Sequence, residues 1–195
     1  MKQFLDEELM LEYQKGKAEA MREIIARFKN PVYQFAYRLI HDAYEAEDVA
    51  SEVFIKAHLA RDSYKPQAKL STWLFTIAHN ACVSRLRKKR MFIAWPRKKD
   101  NSEELVDFES PDPSPRQVFI ENEQDKVIKM CIQSLPFLQK EALILREFEN
   151  MDYEQIAQIL KKSLGTIKTL IHRARENLKI KLLPYFKEQG GNYHV

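Results

Sequence analysis

The sequence predicts an all-α protein built as two small helical domains joined by a flexible linker. Glycine occurs only four times in 195 residues, at Gly16, Gly165, Gly190 and Gly191, too few for the turns of a sheet protein. Apolar residues recur every three or four positions through long stretches, while alternating β-branched runs are nearly absent. Between about 91 and 118 this periodicity stops and Pro96, Pro111, Pro113 and Pro115 gather, the composition of a connector rather than a core. A hydrophobic fraction of 45% is enough for a core on each side of it.

The first domain is expected over residues 1–92. "LDEELMLEYQ" opens it as a helix. "AEAMREIIARFKNPVYQFAYRLI" follows, with Met21, Ile24, Ile25, Phe28, Val32, Phe35, Ala36 and Leu39 along one face and Pro31 as a point of kinking or splitting. "AYEAEDVASEVFIKAHLA" is a third helix. "RDSYKPQAKLS", residues 61 to 71, reads as a loop, and Ser71 is placed to cap a fourth helix whose inward face is Leu74, Ile77, Ala78, Ala81 and Leu86. That helix ends in "RLRKKR", five bases in six residues.

The linker, 93–118, reverses its charge: Arg85 to Lys99 holds eight bases and no acid, Asp100 to Asp112 six acids and no base. The second domain is expected over 119–186, with a tail over 187–195. Its helices are "QVFIENEQDKVIKMCIQSL", "PFLQKEALILREFE", "DYEQIAQILKK" and "SLGTIKTLIHRARENLKIKLL", and Pro184 with the Gly190–Gly191 pair marks the end.

Several classes of function drop out. Cys82 and Cys131 lack metal-ligand spacing and read as buried, reduced core residues of a cytosolic protein. His41, His58, His79, His172 and His194 make no metal or nucleophile constellation with them, and no phosphate-cradling glycine loop is present. No enzymatic activity, cofactor, metal or small-molecule substrate is therefore expected. The acidic N-terminus resembles no signal peptide, and no apolar run approaches the roughly 18 to 20 residues of a membrane helix, so a chain neither secreted nor embedded is expected. The net charge of +4 points only weakly to an anionic partner; its distribution says more.

The most informative stretch is "YEQIAQILKKSLGTIKTLIHRA". Ile156, Ile159 and Leu160 on one helix face Ile167, Ile171 and Ala174 on the next, with small Ala157 where the helices cross, the spacing of a helix-turn-helix over about 153–173. Lys168, His172, Arg175 and Lys179 fall on one stripe of the second helix, with Thr166, Thr169 and Arg173 beyond it, all away from the core face. Ser163 can cap this helix, and Gly165 lets its N-terminus, with free N–H groups and a positive dipole end, come close to a phosphate. A basic solvated helix with an incidental glycine is the plainer alternative.

Together "AEDVASEVFIKAH", "STWLFTIAHNACVSRLRKKR", "LPFLQKEALILREFENMDYEQIAQIL" and "LGTIKTLIHRAR" resemble the sigma-70 family of RNA polymerase sigma factors, in its small extracytoplasmic-function group. The resemblance covers roughly 5–90 and 120–183, in the family's order and spacing. It implies sigma region 2 in the first domain, which binds core polymerase and opens the −10 element, and sigma region 4 in the second, which reads the −35 element.

For core polymerase it implies docking through about 42–56. There Glu45, Asp48 and Glu52 fall on one helix face with Glu47 beside them, and Phe54 or Val53 supplies apolar contact. For −10 recognition and melting, over about 61–90, it implies a cationic track with π-faces or polar groups for extruded bases: Tyr64, Lys65 and Lys69 in the loop, Asn80 and Ser84 on the helix, then Arg85, Arg87 and Lys88. Trp73 reads as core more readily than as a base platform. For −35 recognition the residues are Ser163, Gly165, Thr166, Lys168, Thr169, His172, Arg173 and Arg175.

The resemblance further implies promoter DNA and an anti-sigma factor as partners, the latter able to hold the protein at the inner face of the membrane. An acidic linker occupying polymerase channels that otherwise hold nucleic acid stands beside a plain soluble tether. Ser51, Ser84, Lys161-Lys162 and Leu170 depart from the family's usual residues, and Lys161 is expected to adopt a positive φ in the turn. A stand-alone helix-turn-helix transcriptional regulator is the competing reading, needing neither the acidic stripe nor a melting helix.

Overall fold

The computed structural model describes residues 5–94 and 123–188. The linker prolines, the charge reversal beyond Ala94, the start of the first helix expected after the linker and the glycine-rich tail lie outside the described residues. Within them the chain forms α1 (Asp6–Gln14), α2 (Ala18–Ile40), α3 (Ala43–Leu59), a 3₁₀ turn (Arg61–Ser63), α4 (Leu70–Ala94), α5 (Glu123–Gln133), α6 (Phe137–Glu147), α7 (Tyr153–Leu160) and α8 (Leu164–Glu188). No strand occurs among the described residues.

α2 organises the first half. Met21, Ile24, Phe28, Val32, Phe35, Ala36 and Leu39 are all buried, as the periodicity predicts, and α1, α3 and α4 pack around this face. The helix runs unbroken through Pro31. With Phe28 and Val32 buried on either side, packing outweighs the roughly 3 kcal/mol cost of an interior proline. Gly16, at φ +92, turns α1 into α2; His41, left-handed at φ 57, ends α2; and the Asp42 carboxylate accepts the Glu45 N–H at 3.1 Å to cap α3.

Two expected boundaries are corrected. α4 begins at Leu70, so Ser71 is not its cap; Glu7 of α1 supplies a carboxylate that accepts the Leu70 N–H at 3.1 Å. An anion brought from another helix does for α4 what a local side chain does elsewhere. Pro184 does not end α8, which continues to Glu188, since the hydrogen bond it removes lies on an exposed face where water replaces it.

In the second half α5, α6 and α8 enclose a small cluster of Leu135, Leu143 and Ala174 with Leu178 packed against it. The larger apolar cluster is shared: Ala142, Ile144, Leu145, Met151, Ile156, Ile159, Leu160, Ile167 and Ile171 join the residues of α1 to α4 in one continuous core. α7 packs on α4, and α6 on α2. The two domains read from the sequence are therefore in direct contact, a juxtaposition that their connection by a proline-rich segment did not suggest.

The Phe35 ring, fully buried, meets Phe75 of α4 edge-on with centroids 5.3 Å apart. Phe35→Ala is expected to lower the unfolding free energy by about 3–5 kcal/mol, because the transfer and cavity costs add at a site held from several sides. Denaturant titration followed by circular dichroism measures it.

Candidate nucleic-acid interface

The helix-turn-helix is built as its spacing predicts. Asp152 caps α7 by accepting the Gln155 N–H at 2.7 Å, and the Gln155 side chain accepts the Asp152 N–H at 3.1 Å, a reciprocal capping box. Lys161 closes α7 in the left-handed region at φ 52, the positive φ expected where glycine is customary. Ser163 caps α8 by accepting the Thr166 N–H at 3.2 Å, with its hydroxyl 2.8 Å from that of Thr166. Ile156, Ile159, Ile167, Ile171 and Ala174 are buried, so the opposite face of α8 is fixed outward.

On that face Thr166, Lys168, Thr169, His172 and Arg173 are exposed side by side. A Cβ placed on Gly165 meets nothing within 4 Å. No neighbour among the described residues requires glycine there. Arg175 stands apart: its guanidinium donates to Glu147 of α6, and it leans toward that helix rather than joining the free basic group.

The −10 residues divide. Lys65, Asn80, Ser84, Arg87 and Lys88 are exposed. Lys69 is exposed too, with Nζ 3.6 Å from Asp152. Tyr64 corrects the expectation of a free π-face: it is 3% exposed, its ring lies 5.4 Å from that of Trp73, and its hydroxyl donates to the Ala68 carbonyl at 2.9 Å. Burial pushes its phenol up to about 12. Its period-free loop context gave no sign that the ring turns inward.

Arg85 is also corrected as a free phosphate contact. Its guanidinium binds Glu45, Glu52 at 2.9 Å and Asp48 at 3.6 Å, all on α3. One cation thus holds three of the predicted docking carboxylates, and Lys56 adds a second contact to Glu52 at 2.6 Å. The Glu52 carboxyl is lowered, by Lys56 first. Glu47 is exposed.

Phe54 is buried and supplies core rather than surface contact. The apolar groups α3 shows outward are Tyr44, Ile55 and Leu59, which with Asp48 and Ser51 form a stripe at helical spacing. The sequence carried a signal for it, since Phe54 falls on the same face as buried Ala46, Ala50 and Val53 whereas Ile55 does not.

Between the C-terminal part of α3 and α4 lies an open hollow of about 400 Å³ lined by Lys56, Leu59, Ala60, Trp73, Ile77 and Asn80. It combines one aromatic face, one cation and one amide, the groups an unstacked base requires. Lys56 and Leu59 were not foreseen, because only the tertiary fold brings the end of α3 beside the middle of α4. Among the described residues no group of three or more His, Cys, Asp or Glu is placed to hold a metal ion, and no helix is long and apolar enough to cross a membrane.

The Sigma-70 region 2 family profile matches residues 24–91, and that of Sigma-70, region 4 matches 125–178. The chain is 32% identical to the RNA polymerase sigma-H factor of Pseudomonas aeruginosa, over 94% of this chain and 96% of that one. It is also 32% identical to the ECF RNA polymerase sigma factor SigW of Bacillus subtilis, over 86% and 91%. Among solved structures, the sigma factor RpoE in complex with the anti-sigma factor NepR from Bartonella quintana matches with a TM-score of 0.63 at 26% identity, over 83% of this chain and 95% of that one. With its two helical regions in the family's order and its helix-turn-helix intact, the chain belongs to the sigma-70 family, as an RNA polymerase sigma factor of the extracytoplasmic-function group.

Proposed function

We propose that this sigma factor docks on core RNA polymerase through the outer face of α3, opens the −10 element along α4 and reads the −35 element with α8. The observation that carries the reading is the outer face of the first three turns of α8, free of acid up to Arg175, where Lys168, His172 and Arg173 are exposed beside Thr166 and Thr169. A helix held by its apolar side and capped at an accessible N-terminus is what a major groove accepts.

On α3 the docking surface is Glu45, Glu47, Asp48 and Glu52 together with the exposed Tyr44, Ile55 and Leu59, and Arg85 orients three of its four carboxylates. Carboxylates prearranged by one guanidinium lose less side-chain freedom on meeting a basic partner. On α4 the −10 surface is Lys65, Lys69, Asn80, Ser84, Arg87 and Lys88, with the hollow beside Asn80 and Trp73 receiving an extruded base. The protein acts by binding rather than by catalysis of its own, in the cytoplasm where polymerase works. By its likeness to the RpoE–NepR complex it is also bound by an anti-sigma factor.

Purified protein added to core polymerase of the same organism is expected to initiate transcription at a subset of that genome's promoters, read by run-off assay and transcript sequencing. Initiation at none of them, with tight specific duplex binding by the free protein and no association with polymerase, makes the chain a stand-alone regulator instead.

With a promoter so identified, Lys168→Ala or Arg173→Ala in the holoenzyme is expected to weaken binding across promoter sequences and to flatten the log–log salt dependence by about one. Competition binding over a salt series measures it; an unchanged slope removes that residue from the phosphate contacts.

Gly165→Ala is expected to leave the unfolding free energy unchanged or raised by up to about 1 kcal/mol, since the added methyl meets nothing in the chain. The same change weakens holoenzyme binding to −35 DNA by standing between the backbone and a phosphate. Thermal melts and fluorescence anisotropy give the two halves.

A further inference from the structure

Beside the shared apolar cluster, the contact between the two halves holds the three polar or charged residues buried among the described residues, Thr72, Lys140 and Glu141. Glu141 of α6 is fully buried, and its Oε1 lies 2.6 Å from His79 Nδ1 of α4. Its Oε2 is buried with no hydrogen-bond partner among the described residues. Beside it Lys140, also buried, donates to the Leu39 carbonyl at 3.2 Å and to Gln133 at 2.8 Å, and Gln133 donates to the Arg38 carbonyl at 2.6 Å. The last carbonyls of α2 are thus capped by the other domain. Glu149, just past α6, sits 3.7 Å from Arg38, which stacks on Phe148 with its guanidinium carbon 4.3 Å from the ring centre. Gln155 of α7 donates to the buried Thr72 of α4 at 2.9 Å.

This arrangement conflicts with the proposed function, on which the inference rests. Promoter elements named −35 and −10 lie on the order of 80 Å apart along a duplex rising about 3.4 Å per base pair, whereas a compact chain of this length has a radius of gyration of only about 16 Å. The two domains must part before both elements are engaged.

We propose that the seam between α2–α4 and α6–α7 is a proton-linked latch, closed when the Glu141–His79 pair and Glu149 hold their protons and released as those protons are lost. The groups facing Glu141 are His79 and Cys82 from α4 and Lys140 from α6, with Arg38 of α2 facing Glu149. Lys140 donates to the end of α2 and acts on Glu141 only through its charge, so His79 is the hydrogen-bonding partner Glu141 has among the described residues. Whichever member of the pair carries its single proton, losing it leaves a buried carboxylate with no hydrogen-bonded cation, a costly state.

Burial raises the carboxyls of both Glu141 and Glu149, the latter to about 7. The closed form therefore holds protons that the open form has already given up. Closure is favoured on the acid side and lost as pH rises through about 7.

Small-angle scattering of the full-length protein between about pH 4 and pH 8, spanning the ordinary carboxyl value of 4.5 and the raised Glu149 value of about 7, tests this, with circular dichroism at each point. The expected result is a radius of gyration that grows with pH at constant helicity. Glu141→Gln combined with Glu149→Gln is expected to stay compact throughout, and His79→Ala, which leaves Glu141 without its hydrogen-bonded partner once deprotonated, to stay compact at the acid end and to open at a lower pH than the wild type. A wild-type radius independent of pH overturns the latch, as does expansion accompanied by loss of helix, or a double variant that opens like the wild type. The measurement needs neither polymerase nor DNA, so its failure leaves the sigma activity standing, and a failed transcription assay leaves the latch standing.

Discussion

Burial of the single apolar face of α2 is the constraint on which the rest depends. Seven of the eight residues read as its face are withdrawn from water, each worth about 1.5–3 kcal/mol for a large side chain. Satisfying that face calls α1 to one side, α3 and α4 to others, and α6 to the end. Once α3 and α4 lie against α2, their outward faces are decided, and both proposed surfaces of the first domain are outward faces. Phe35 on Phe75 registers α4 against α2, and Glu7 at the Leu70 N–H fixes where α4 begins.

Charge follows from that packing rather than leading it. Arg85 lies in a run of bases that suggests a track for nucleic acid, yet α4 crosses α3 so that its guanidinium meets three carboxylates, and attraction to fixed neighbouring anions prevails over exposure. The acidic stripe and the start of the basic run are thereby one structure. Arg175 on Glu147 repeats the pattern on a smaller scale. Lys168 and Arg173 on α8 and Arg87 and Lys88 on α4 are instead exposed.

The two halves differ in how much of their core is their own. Among the described residues the second half keeps for itself only the cluster of Leu135, Leu143, Ala174 and Leu178, and lends the apolar faces of α6 and α7 to the common core. Yet the seam is threaded with Glu141, Lys140, His79, Gln155 and Thr72, groups that water also satisfies. An interface so made loses less on parting than an apolar one of equal area, which is the character a promoter-spanning protein requires.

Helical periodicity, scarce glycine and capping chemistry determined the class of fold, the span of α2 to the residue, and the helix-turn-helix down to its Ser163 cap, while the positive φ of Lys161 was legible only through the resemblance to the sigma-70 family. These are local matters, set by side-chain period, capping chemistry and one turn, and neighbouring residues suffice to specify them. Only the tertiary structure decided that Tyr64 turns inward, that Arg85 is bound, and that Glu7 rather than Ser71 caps α4. It also decided that Glu141 of one domain is buried against His79 of the other. Each of these depends on partners tens of residues distant, and no period along the chain records which helix will lie across another.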